Sequence, residues 1–129
     1  MANKIIMVDT SILIDYYRKT DKENSVWIAL VRQKYKFVIS AITKYEIYSG
    51  ATQSQLNFWK TVLQAIEIIS FDEVSVDTAV FINASLNRKR KQIDLADLLI
   101  AATAVAHNFF LATLNRKHFD RIDRLNIVK

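Results

Sequence analysis

Three carboxylates in this sequence stand where simple solvation explains them poorly: Asp9, Glu46 and Asp97. Asp9 closes the apolar run Lys4 to Val8 and is followed by Thr10 and Ser11. A carboxylate at the end of a buried strand has little freedom, which suits an oxygen ligand for a metal ion. Its other available role is to cap the next helix, although Thr10 or Ser11 could do that without a charge. Glu46 shares a helical face with Ile42, Tyr45 and Ser49. On so apolar a stripe it is costly to bury unless a cation pairs with it, and Lys44 projects elsewhere. A solvated glutamate is the competing explanation. Asp97 follows Asp94 by three residues, at the head of a segment that is apolar nearly all round as far as Ala106. One of the two is explained as an N-cap or as an anion on the helix dipole. Two on one face repel each other unless a cation lies near them.

The elements that must position these groups follow from hydrophobic spacing. Short apolar runs predict strands at Lys4–Val8, Phe37–Ile39, Ile66–Ile69 and Phe109–Ala112, with a fifth at Leu125–Val128. Helical spacing covers 11–18, 25–35, 41–49, 53–65, 73–90 and 94–107. Strands alternating with helices predict an α/β fold, with a mainly parallel central sheet of four to five strands flanked by helices. Within 73–90 the predicted inward stripe is Val76, Ala79, Val80, Asn83, Ala84 and Asn87. Gly50 falls where a left-handed helix C-cap is expected. Four strand-like runs stop at Asp9, Ser40, Ser70 and Thr113. In a parallel sheet that edge binds ligands, while Ser40 and Ser70 read more simply as helix caps.

Composition narrows the chemistry. With 129 residues, no proline and a single glycine, nothing marks an internal boundary, and one domain spanning 1–129 is expected. The absence of cysteine excludes disulfides, thiolate metal sites and thiol nucleophiles. No apolar run approaches the roughly 20 residues of a membrane span. Lys4 precedes only four apolar residues before Asp9, too few for a secretory leader, so a cytoplasmic location is expected. Residues 1–85 hold nine Lys/Arg and nine Asp/Glu, whereas 86–129 hold nine against four, which accounts for the net +5. A polyanionic partner near that region and a merely solvated basic face are both consistent with this. Arg88, Lys89, Arg90 and Lys91 form its densest stretch.

Taken in order, these residues resemble the PIN-domain nucleases, specifically the VapC-type toxins of toxin–antitoxin pairs. The resemblance is carried by Val8-Asp9-Thr10-Ser11, by Ile42, Thr43, Glu46, Ile47 and Gly50, by Asp97 to Ala104, and by Thr113, Leu114, Asn115, Arg116, Lys117, His118 and Phe119. It spans nearly the whole chain and is most distinctive in the Asp97 helix. It implies that Asp9, Glu46 and Asp97 hold Mg²⁺, with Mn²⁺ as a substitute, and that RNA phosphodiester bonds are hydrolysed. The fourth acidic position of the family falls on Asn115, and His118 stands where many relatives carry an acid. One firmly held metal, and at most a weak second, is therefore expected. Thr10, Ser11 and Thr113 fall on supporting hydroxyl positions, and Asp94 could compensate in part for Asn115. Arg88, Lys89, Arg90, Lys91, Arg116 and Lys117 are the candidate RNA contacts.

Hard oxygen donors suit such cations, and metal-assisted hydrolysis needs no histidine base. Two rivals that also place Asp after a first strand fit less well. A haloacid-dehalogenase-like phosphatase needs a second Asp where Ser11 stands. A receiver domain needs a phosphorylatable Asp where Ser70 and Phe71 lie. The alternative of another class is a non-catalytic PIN-like protein that binds RNA or a partner. The aromatic-bearing helices 11–18, 25–35 and 53–65 are expected to serve a homodimer contact and a groove for a VapB-type antitoxin.

Overall fold

The computed structural model describes residues 4–128. Strands β1 (Ile5–Val8), β2 (Lys36–Ser40), β3 (Glu67–Ile69) and β4 (Phe110–Ala112) form one sheet in the order β3-β2-β1-β4. Every pairing in it is parallel. Ile6, Met7 and Val8 have no exposed surface because β1 is central and covered on both faces. Their side chains alternate between two cores. Met7 joins Val38 and Leu111 on one face, while Ile6 and Val8 join Ile39 and Ala112 on the other.

Helices α5 (Glu73–Lys89), α6 (Leu95–Ala106) and α7 (Arg116–Phe119) pack on the Met7 face through Ile82, Leu86, Ile100, Ala101 and Phe119. Helices α1 (Thr10–Arg18), α2 (Val26–Val31) and α4 (Gln53–Gln64) cover the opposite face through Ile12, Leu13, Leu30, Trp59 and Leu63. Helix α3 (Ala41–Gly50) reaches both cores, with Ile42 on one and Ile47 on the other. The chain builds β1, β2 and β3 toward one side and then returns to place β4 beyond β1. The reversal of strand order thus lies between the C-terminal ends of β1 and β4, where parallel sheets open a crevice for ligands.

Several expectations change. The fifth strand is reduced to a single parallel bridge, Leu111 with Ile127. Helix 25–35 stops at Val31, and the chain leaves it through a turn in which Lys34 is left-handed at φ 63°. Gly50 is the last residue of α3 and has no left-handed φ. Extended Ala51 follows, and Thr52 at once caps α4, so no left-handed cap is formed. In α5 the buried stripe is Ser75, Ala79, Ile82 and Leu86. Val76 and Val80 are 44% and 66% exposed, and Asn83, Ala84 and Asn87 face solvent. The two stripes share Ala79 and differ by a small rotation, which packing against α6 decides. Ser40 caps α3 as expected, whereas α5 is capped by Asp72 and Ser70 is exposed.

Candidate active site

Asp9 occupies the end of β1 and is itself the N-cap of α1. Its Oδ1 accepts from the Ile12 amide at 3.2 Å and from the Ser11 hydroxyl at 2.6 Å. Its Oδ2 accepts from Thr113 Oγ1, at the end of the neighbouring strand. Asp9 thus caps α1 itself, with Ser11 assisting it rather than replacing it. Burial pushes the Asp9 carboxyl above its ordinary value, and the bonds from Ser11, Thr113 and Ile12 oppose that shift.

Glu46 is half-buried and reached by the Thr10 hydroxyl, which donates to Oε1 at 2.6 Å. Its helical face is less apolar than the spacing suggested. Tyr45 is 70% exposed, and α3 buries Thr43 and Ile47 instead. Asp97 lies in the first turn of α6, where the helix dipole favours an anion. Burial lifts its carboxyl above the usual range, and the charges of Asp9, Asp94 and Glu46 lift it further; His118 opposes them. The His118 ring stands 3.8 Å from Asp97 Oδ2 through Nδ1. Asp94 holds the N-cap position of α6 but makes no capping bond with its side chain and is exposed. The simple capping role therefore does not account for it.

One open cleft of about 630 Å³ lies at the strand-order reversal, and Asp94, Thr113 and His118 are not among the residues that line it. Asp9, Glu46 and Asp97 face it, together with Thr10, Ser11, Leu114 and Asn115. Ser11 Oγ accepts the Leu114 amide at 3.0 Å, and Thr113 Oγ1 accepts the Asn115 amide at 2.9 Å. The loop after β4 is thereby pinned to the start of α1. The Asn115 side chain makes no capping bond to α7.

Among the described residues, no three acidic or histidine side chains close into a ready-made metal cage. Asp9 and Glu46 are each held by hydroxyl donors, and like charges stay apart without a cation between them. The donor set nevertheless fits a hard divalent cation. An ion of the Mg²⁺ type keeps several waters and takes only one or two carboxylates directly. Two carboxyls raised by burial or mutual repulsion, in one cleft, are the groups such an ion would stabilise.

Sequence reasoning missed part of this cleft. Asp15 and Arg18 of α1, and Lys19 just beyond its end, also line it. The signal was available, because Ser11, Asp15 and Arg18 fall at i, i+4 and i+7 on one helical face. The basic candidates divide. Arg90, Lys91 and Lys117 gather with Gln92, His118, Asp120 and the unforeseen Arg121 around a second open cleft of about 830 Å³. Lys89 is instead drawn to Asp123 at 2.7 Å, and Arg116 donates to the Val128 carbonyl. Arg88 is exposed outside both clefts.

A family model described as "PIN domain" matches residues 6–125. The chain belongs to the PIN-domain family. Within it, the chain is 35% identical to "Ribonuclease VapC1" of Methanocaldococcus jannaschii, over 95% of this chain and 84% of that protein. It is 30% identical to "Ribonuclease VapC10" of Mycobacterium tuberculosis, over 94% of this chain and 90% of that one. Its fold superposes with a TM-score of 0.82 on a chain of the Rickettsia felis VapBC2 complex bound to promoter DNA, at 27% identity and covering 96% of this chain and 97% of that one. A chain of DNA-bound VapBC from Salmonella typhimurium shares the fold at a TM-score of 0.87, with 23% identity and 98% of each chain covered. The all-parallel α/β sheet is thus the PIN-domain architecture.

Proposed function

We propose that this PIN domain, acting as one unit over residues 1–129, is a divalent-metal-dependent endoribonuclease and the toxin of a VapBC-type pair. The observation that carries the reading is the convergence of Asp9, Glu46 and Asp97 on one cleft at the strand-order reversal. The VapC names of its relatives supply the substrate class. Asp9, Glu46 and Asp97 would hold Mg²⁺ or Mn²⁺. When bound, such an ion neutralises charge on the phosphate and acidifies water for attack on phosphorus. Thr113 and Ser11 orient Asp9, and Thr10 orients Glu46. The amide of Asn115, on the cleft wall, supplies hydrogen-bond donors for a phosphate oxygen and no charge for a second cation.

RNA cleavage by wild type, Asp9→Asn and Asp97→Asn, compared in Mg²⁺, Mn²⁺ and EDTA, tests this reading. Metal-dependent cleavage lost in both variants supports it. Cleavage retained in EDTA would sink it, and RNA binding without cleavage in any metal would favour the non-catalytic alternative.

The antitoxin reading rests on a groove between α2 and α4, about 620 Å³, walled by Tyr16, Trp27, Ile28, Val31, Phe37 and Val62. An amphipathic segment fits such a surface, and the Rickettsia felis chain on which this fold superposes belongs to a VapBC assembly. A cytoplasmic homodimer completes the proposal. Sedimentation as a monomer at micromolar concentration would remove the dimer from it.

A further inference from the structure

Two basic clusters flank the carboxylates from opposite faces of the sheet. Arg18 is the last residue of α1 and Lys19 its C-cap, and Ile12 and Leu13 of that helix pack in the core on the Ile6 face. Arg18 lies about 12 Å along that helix from Thr10, at about 1.5 Å per residue. Arg90, Lys91, Lys117 and Arg121 belong to the turn after α5 and to the α7 region, anchored by Leu86, Phe119 and Ile122 on the Met7 face. Asp9 stands at the sheet edge between these layers, and Glu46 of α3 and Asp97 of α6 face the same cleft. His118 links the two clefts, because it lines the second and approaches Asp97 of the first.

The charges within each cluster are not equivalent. Lys19 is 3.8 Å from Asp15, whose other oxygen accepts the Val26 amide. Arg18 makes no ion pair or side-chain hydrogen bond among the described residues, so its guanidinium keeps all its donors at the cleft mouth. In the second cleft Arg121 donates to the Gln92 carbonyl, which holds the turn in shape, and Arg90 takes the left-handed conformation at φ 56°. Lys91 and Lys117 are exposed there without an ion-pair partner among the described residues.

We propose that one RNA strand crosses the sheet edge, with Arg18 holding its phosphate backbone on one side of the scissile bond and Lys91 and Lys117 holding it on the other. This rests on the ribonuclease reading and adds a path to it. Three carboxylates repel a polyanion, and cations at both ends of the cleft offset that repulsion without entering the reaction. Arg18 is a positioning residue in this scheme. A guanidinium forks onto phosphate oxygens more selectively than an ammonium does.

The test uses a fluorescein-labelled, mixed-sequence single-stranded RNA, with binding followed by anisotropy across a salt series in Ca²⁺. Arg18→Gln should lower the slope of log affinity against log salt by about 0.7, the value for one lost single-strand phosphate contact. The double variant Lys91→Gln/Lys117→Gln should lower it by about twice that amount, and the combination should add, since the sites lie apart. Lys60→Gln, at an exposed position of α4 outside both clefts, is the control and should change nothing. Single neutral methylphosphonate linkages should silence the Arg18 effect on one side of the cleaved bond and the lysine effect on the other. Slopes equal to the control, or both effects silenced by the same linkage, would overturn the path while leaving the nuclease standing. A wild type that neither binds nor cleaves RNA would instead remove the reading beneath it, and the path with it.

Discussion

Thr113 donates its hydroxyl to Asp9 Oδ2 across 104 residues of sequence, joining the ends of adjacent parallel strands at the point where strand order reverses. The same hydroxyl oxygen accepts the Asn115 amide, so one side chain sets both the carboxylate and the loop beside it. Replacing it with valine keeps the shape and removes the donor. Thr113→Val is expected to lower metal-dependent cleavage by about 10- to 100-fold, the usual cost of losing an orienting partner of a metal ligand. Thr113→Ser should restore most of it. Single-turnover cleavage with a Mn²⁺ titration measures both, and equal activity of the valine and serine variants would deny the positioning role.

The raised carboxyls of Asp9 and Asp97 make a prediction about pH. A folded-state value above the unfolded one means that the fold binds the proton more tightly. Their contribution to stability is present below the ordinary carboxylate value of 3.8 and is lost as pH rises through the elevated folded values. Metal-free protein should therefore lose stability relative to Asp97→Asn as pH rises from the ordinary carboxylate value of 3.8 through the elevated folded values. Parallel urea midpoints across that range would contradict the assignment.

Adding the cation should reverse that loss. At about 100 times its dissociation constant, a bound ion stabilises the fold by about 2.7 kcal/mol. Thermal midpoints of wild type should rise with Mg²⁺ or Mn²⁺, less so at acidic pH where protons compete for the ligands. The rise should shrink sharply in Asp9→Asn. A variant that gains as much as wild type would place the ion elsewhere.

Asp72 gives the opposite sign. The Ser75 hydroxyl, then the Ser75 amide, bond its carboxylate and hold the carboxyl below the ordinary range, with the nearby His107 adding to the effect. That contribution is present above the unfolded value and disappears as pH falls through the depressed folded one. Asp72→Ala should therefore lower the thermal midpoint at neutral pH, with the gap to wild type closing in acid. A gap independent of pH would assign the effect to packing alone.

Helix α6 is buried around most of its girth, with Ile100, Ala101, Ala102 and Ala104 fully enclosed. Ala101→Leu adds volume where none is free and should cost about 1–3 kcal/mol in urea denaturation. Ile100→Ala should cost about 2–5 kcal/mol by leaving a cavity. A change below about 0.5 kcal/mol in both, the size usual for surface substitutions, would mean that α6 is not the packed centre of the fold.

Hydrophobic spacing alone located four strands and six helices, because a buried parallel strand and an amphipathic or buried helix leave different periods in the chain. It also singled out Asp9 and Asp97, since an acid beside an apolar run is rare without a local reason. Spacing could not choose between neighbouring faces of one helix. Val76 and Val80 carry the period of a core stripe and stand exposed, because α6 meets the face bearing Ile82 and Leu86. Nor could it find Arg18 at the cleft, or separate Lys91 from Lys89, which is bound to Asp123. Asp9, Glu46 and Asp97 were named from residue type, local spacing and family resemblance. Their meeting depends on the return of β4 beside β1 and on the long-range bonds from Thr113 and Thr10. Residue type and local period are properties of neighbours along the chain. Which carboxylates and cations share a cleft is decided by strand order and helix rotation, which only the packed structure specifies.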